Sequence, residues 1–149
     1  MGLFDAIGIA GTGLSAERMR MDVTAENLAN ADTTKAANGQ PYQRQEVVLA
    51  QTGSADFGNA LSGALQVPGA AANAGGVKVS GIVNDSTPDQ LVYDPSNPEA
   101  NSQGYVKMPN VNPVTEMTDL IDESDSYQAD VTAMSTAKTM FAKTLDLLK

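Results

Sequence analysis

From Leu120 onward an apolar side chain returns at every seventh position, at Tyr127, Met134, Phe141 and Leu148, and this spacing constrains the chain more than any other feature. An unbroken repeat of seven is the seam of a helix that packs lengthwise against another helix. Met117, Val131 and Leu145 fill companion positions of the stripe, with Ser124 and Lys138 in the remaining two. Pro113 suits a first helical turn. Six acids (Glu116, Asp119, Asp122, Glu123, Asp125, Asp130) precede Lys138, Lys143 and Lys149, the order a helix dipole favours; the run Asp119, Asp122, Glu123, Asp125 could be paired carboxylates or metal ligands but reads better as a solvated, dipole-compensating surface. The spacing predicts one helix over 113–149, roughly 55 Å long at about 1.5 Å per residue. Such a stripe needs partners to bury it.

The amino-terminal segment carries a matching seam. Ile7, Leu14, Met21 and Leu28 recur every seven residues, with Phe4, Ala10, Ala25 and Ala31 beside them. Gly8, Gly11 and Gly13 weaken the first turns by about 1 kcal/mol each relative to Ala, so that end is expected to be poorly helical without a partner, and 14–31 to be helical. Between the two seams, residues 32–112 hold nine of the thirteen glycines and six of the seven prolines, which marks a punctuated middle. Strands are expected at 42–50, 77–83, 91–93 and 105–108. The Ala/Gly/Ser/Asn composition of 52–76 reads as a flexible loop, and 94–104 is turn chemistry throughout. The expected fold is therefore mainly α with a small β part. Two terminal helices, within 1–31 and 113–149, pair as a coiled coil around a β-rich middle segment, 32–112.

Composition removes most chemistry. A net charge of −9 disfavours a surface that tracks nucleic-acid phosphates or docks on an anionic membrane. With neither Cys nor His there are no disulfides, no Cys/His zinc sites and no Ser–His or Cys–His nucleophiles. The first charge is Asp5 and the first basic residue Arg18, so no cleaved secretory signal is expected; Ala6 breaks the myristoylation pattern, and no apolar run is long enough to span a bilayer. The run from Gly8 through Gly11 and Gly13 to Ala16 imitates a dinucleotide fingerprint with Asp32 as its acid, but no apolar strand precedes Asp32. Small residues that let two helices approach closely explain it better. Asn84, Asp85, Asp89 and Asp94 lack the spacing of a calcium loop, and Met21, Met117, Met134 and Met140 read as seam filling. No catalytic, cofactor-binding or metal-ligating residue is expected, and the chain does not read as an enzyme.

Particular residues then carry a resemblance. The run from Met21 to Thr34, with Asn27, Leu28, Ala29, Asn30, Ala31, Thr33 and Thr34, resembles the signature of bacterial flagellar axial proteins of the rod and hook class. The sequences Gly81-Ile-Val-Asn-Asp, Tyr93-Asp94-Pro95, Gly104-Tyr105, Pro109-Asn110 and Tyr127-Gln128 are similar to the proximal-rod type within that class. Asn97, Asp130 and Pro113 depart from the usual pattern. The resemblance implies a structural subunit of the periplasmic proximal rod, exported by the flagellar type III apparatus without a cleaved signal and assembled through its terminal helices into a tube that transmits torque and surrounds the export channel. The implied partners are copies of the same chain, other proximal and distal rod proteins, the rod-base junction protein and the export apparatus, with no nucleic acid and no membrane insertion. The interface would be Ile7, Leu14, Met21, Leu28, Met117, Leu120, Tyr127, Val131, Met134, Phe141, Leu145 and Leu148, and the helical ends are expected to be largely disordered before assembly. A type III secreted coiled-coil translocon or adhesin-like protein is the alternative reading.

Overall fold

A computed structural model describes residues 3–36, 38–52 and 75–146. Leu148, the Phe4 side chain and most of the expected 52–76 loop lie outside the described residues. Helix α1 (Leu3–Ala29) is followed by strands β1 (Gln45–Gln51), β2 (Val77–Asn84), β3 (Gln90–Tyr93) and β4 (Tyr105–Met108), and then by helix α2 (Pro113–Asp146). Two helices thus flank a small β part, as expected. Strands β1 and β2 make one two-stranded sheet, and β3 and β4 another.

Hydrogen-bond demand sets the ends of these elements. α1 stops two residues before the expected Ala31 because Asn30 turns the chain: its amide N–H and its side-chain Nδ2 both donate to the Glu26 carbonyl, at 3.1 and 3.0 Å. The Ala31 N–H then reaches back only three residues, to Leu28. α2 starts at Pro113, whose missing N–H costs nothing in a first turn, and Asn112 caps it by accepting the Val114 N–H on Oδ1 at 3.0 Å. β1 begins at Gln45, not Tyr42, since the Tyr42 N–H goes to the Thr33 carbonyl and the Arg44 N–H to Asn110 Oδ1. Residues 42–44 therefore have other partners for these donors.

The chain divides into two compact units. One gathers Met1–Arg18, Leu49–Ser80 and Asp125–Lys149 as far as they are described; the other gathers Met19–Val48 and Gly81–Ser124. They are called here the terminal and the central unit. In the terminal unit α1 runs through Gly8, Gly11 and Gly13 without a break, and there it has a partner in α2. Packing offsets the propensity: a Cβ on Gly13 would stand 2.6 Å from an Asp130 carboxylate oxygen, and one on Gly11 3.7 Å from the Met134 methyl. Close approach of the helices explains the small residues, and among the described residues no metal cluster accompanies them.

In the central unit β3 and β4 pair antiparallel, with Leu91 opposite Lys107 and Tyr93 opposite Tyr105. The Tyr93 and Tyr105 rings meet edge to face, 5.3 Å between centroids. Val106 faces inward at 2% exposure, beside Pro109 and Val111, while Leu91 and Tyr93 stay above 60% exposed. The hairpin loop closes on Gly104 at φ +81°, which also lies under the Tyr93 ring. Gly104→Ala puts a Cβ into the left-handed region and 2.8 Å from that ring, and is expected to destabilise the chain by about 1–2 kcal/mol, measured as a lowered urea midpoint.

Candidate functional site

The covered face of α2 steps through Glu116, Leu120, Glu123, Tyr127, Asp130, Met134, Ala137 and Phe141, in intervals of three and four. The apolar seam expected at 120, 127, 134 and 141 is on that face. Carboxylates stand beside it, where apolar companions were expected. Met117, Val131 and Leu145 lie outside, at 54%, 43% and 49% exposure. On α1 the buried side chains are Ala16, Val23, Thr24 and Asn27, whereas Ile7, Leu14, Met21 and Leu28 are half-buried. The solvated reading is corrected for Glu123, which is 4% exposed, and Glu116, placed in sequence only by the dipole, is buried too at 1%.

Glu116 is buried because the central unit surrounds it with donors. Arg44 Nε donates to its Oε1 at 2.6 Å, and Asn27 Nδ2 donates to its Oε2 at 3.1 Å. Asn27, also 1% exposed, uses every hydrogen-bonding position it has. Its Nδ2 donates a second time, to the Gln45 carbonyl at 2.8 Å, while its Oδ1 accepts the Tyr42 hydroxyl and the Gln45 N–H, both at 2.9 Å. One amide thereby ties α1 to β1 and α2. One heptad away, Glu123 Oε1 accepts the Thr24 hydroxyl at 3.1 Å, with Arg20 Nε 3.5 Å off.

Arg44 is the cation of this cluster, 3.6 Å from Asp119 and 4.0 Å from Asp85 as well as bonded to Glu116. The Glu116 hydrogen bond raises its pKa above the ordinary value against the opposing effect of burial, so it stays charged at any working pH. Burial, and then the charges of Glu26 and Glu116, push the Tyr42 phenol up, which keeps its proton available to Asn27. Asn110 completes the cluster from the turn before α2: its Oδ1 accepts the Arg44 N–H at 2.8 Å, and its Nδ2 donates to the Thr87 carbonyl at 3.1 Å.

The other motif residues lie nearby in the central unit. Asn30 Oδ1 accepts the Thr33 hydroxyl at 3.2 Å, Thr34 donates its hydroxyl to Glu99, and Ala31 is buried at 8% exposure. Leu28 is half-buried and Ala29 exposed. Asp94 Oδ1 accepts from the Ser96 N–H and hydroxyl in a turn that includes the exposed Pro95. In the terminal unit Tyr127 is half-buried, and Gln128, exposed, gives its carbonyl to the Thr132 hydroxyl. The arrangement holds helices and strands together.

Comparison with known proteins fits a scaffold of this kind. A family model described as flagella basal body rod protein matches residues 7–36, and one described as flagellar basal body rod FlgEFG protein C-terminal matches residues 102–147. The flagellar basal-body rod protein FlgC of Bacillus subtilis (strain 168) is 44% identical over 153 aligned positions, covering 100% of both chains. That of Escherichia coli O6:H1 is 45% identical, covering 99% of this chain and 98% of its own, and that of Borreliella burgdorferi is 39% identical over 100% and 99%. The chain belongs to the FlgC family of flagellar basal-body rod proteins.

For this FlgC-family chain, sequence reasoning missed Tyr42, Arg44, Gln45 and Glu116 as members of one cluster. Two signals were present. Glu116, Glu123 and Asp130 are themselves spaced by seven, and Arg44 is the one arginine between the two terminal segments. Asn27→Ala strips partners from Tyr42, Gln45 and Glu116 together and is expected to cost about 3 kcal/mol or more, whereas Asn30→Ala at the helix end costs about 1 kcal/mol; chemical unfolding of both variants measures the difference.

Proposed function

We propose that the chain is a structural subunit of the flagellar basal-body rod, of the proximal type, which assembles through its terminal helices into the tube that transmits torque and surrounds the export channel. Full-length identity of 39–45% to FlgC proteins carries this reading. The surface supports it. Val114, Met117, Ile121, Val131 and Leu145, on two adjacent rows of α2, are between 43% and 73% exposed, a stripe of apolar side chains that the chain's own seam leaves uncovered. Among the described residues no helix is long and apolar enough to cross a membrane.

In the proposed rod, each exposed stripe meets the helices of neighbouring subunits. Contacts of this kind that repeat without closing generate a helical tube, and continuous seams carry torque along it. The neighbours are copies of this chain, the other proximal and distal rod proteins and the rod-base junction protein, reached after passage through the type III export apparatus into the periplasm. The coiled-coil contacts are Ile7, Leu14, Met21 and Leu28 on α1 and Leu120, Tyr127, Met134 and Phe141 on α2, with Leu148 continuing the sequence repeat outside the described residues and Met117, Val131 and Leu145 outermost. The extreme ends order on assembly, while 19–29 and 113–124 are held beforehand by the Asn27 and Glu116 cluster.

Val131 is exposed, so Val131→Asp is expected to leave the free chain intact yet abolish swimming halos and rod assembly with the protein still synthesised. Met134→Asp, on the face that packs near Gly11, is expected to block rod assembly and swimming as well, with the protein still synthesised. Motile cells producing only Val131→Asp would overturn the exposed stripe as the assembly surface, and motile cells producing only Met134→Asp would overturn the seam.

A further inference from the structure

The polar pairs between α1 and α2 repeat with the period of the helices. In the central unit Asn27 faces Glu116 and Arg20 faces Glu123; in the terminal unit Gly13 faces Asp130. Each step of seven toward the start of α1 matches a step of seven toward the end of α2. The apolar positions of α2, Leu120, Tyr127, Met134 and Phe141, repeat identically. A helix pair built this way does not distinguish its native register from one slipped by a heptad. Slipped one way, Asn27 meets Glu123 and Gly13 meets Ala137; slipped the other way, Arg20 meets Glu116. All are chemically acceptable pairs. What a slip does not preserve is the contact that the segment after α1 makes with α2.

We propose that Arg44 is a positioning residue that selects the register of the helix pair. Its guanidinium bonds Glu116 at 2.6 Å and lies 3.6 Å from Asp119. One heptad on, Glu123 stands for Glu116 but Ser126 for Asp119, and one heptad back Pro109 and Asn112 stand there, so no slip restores both acids to the guanidinium. The backbone of Arg44 is tied to Asn110, two residues before the cap of α2, so guanidinium and main chain both read the start of the helix. A buried ion pair of this kind contributes little net stability, because desolvation offsets its attraction, but it penalises any arrangement that separates the partners. Register specificity therefore comes from a cation outside the helices. This holds for the free chain and does not depend on the rod assignment.

The chain has no cysteine, so Asp22→Cys and Thr115→Cys, both exposed and outside the cluster, take nitroxide labels cleanly. Electron–electron distance measurement on the labelled full chain is expected to give one distance population with Arg44 present. With Arg44→Gln added, a second population is expected, arising from a translation of α2 by about 10 Å along α1, while helical ellipticity is retained. A single unchanged population in the Arg44→Gln chain would overturn the proposal, as would two populations in the parent. Loss of helical signal in Arg44→Gln would also overturn it, since Arg44 would then be holding the fold and not choosing among registers.

Discussion

Glu116 is the residue around which the central unit is organised. A carboxylate at 1% exposure is tolerated only when its charge and lone pairs are met, and here they are met by an arginine before β1 and an asparagine in α1. Three segments far apart in sequence must therefore converge on one point. The path of the chain follows from that demand: the tight end of α1 at Asn30, the turn that brings Tyr42 back to Thr33, and the start of β1 at Gln45 all place donors around the same two side chains. Removing either partner leaves the other buried without compensation, so the cluster acts as a unit.

Local signals made the elements legible. The four strands fall within three residues of where alternation and turn residues put them, and the start of α2 could be read from Asn112 and Pro113. The phase of the seam was half legible. Leu120, Tyr127, Met134 and Phe141 could be seen because apolar residues every seventh position have one physical explanation. Glu116, Glu123 and Asp130 were hidden because an acid in the first half of a helix has a sufficient local reason to be there, compensation of the dipole. The burial of Glu116 depends on Arg44, 72 positions away, and Glu123 meets Thr24, 99 positions away, and no local pattern carries that information. The polar role of Asn27 was legible only as a resemblance; its four hydrogen bonds to β1, Tyr42 and α2 supply the physical reason.

The outcome inverts the usual arrangement of a small protein. Among the described residues the buried apolar side chains are small or β-branched, Ala16, Val23, Ala31, Val106 and Val111, while Leu91, Ile121 and Met140 are about 60% exposed. Polar groups hold the inside and apolar groups face out. Little hydrophobic area is consumed by the chain's own fold, so its stability rests on hydrogen bonds whose net worth is modest.

For a subunit that is proposed to travel unfolded and then join a tube, that division is favourable. A weakly stabilised chain is opened at low cost, and the apolar surface left outside becomes the driving force for association. Hydrophobic contact alone, however, is indifferent to register: stripes that repeat every seven residues fit one another in several alignments. The polar interior answers this. Because Asn27, Glu116 and Arg44 accept one arrangement, the helices present their outer stripes at a defined offset, and neighbouring subunits meet a surface whose geometry was set before contact. In the proposed rod the association energy thus comes from exposed apolar side chains of α2, and the register from its buried carboxylates.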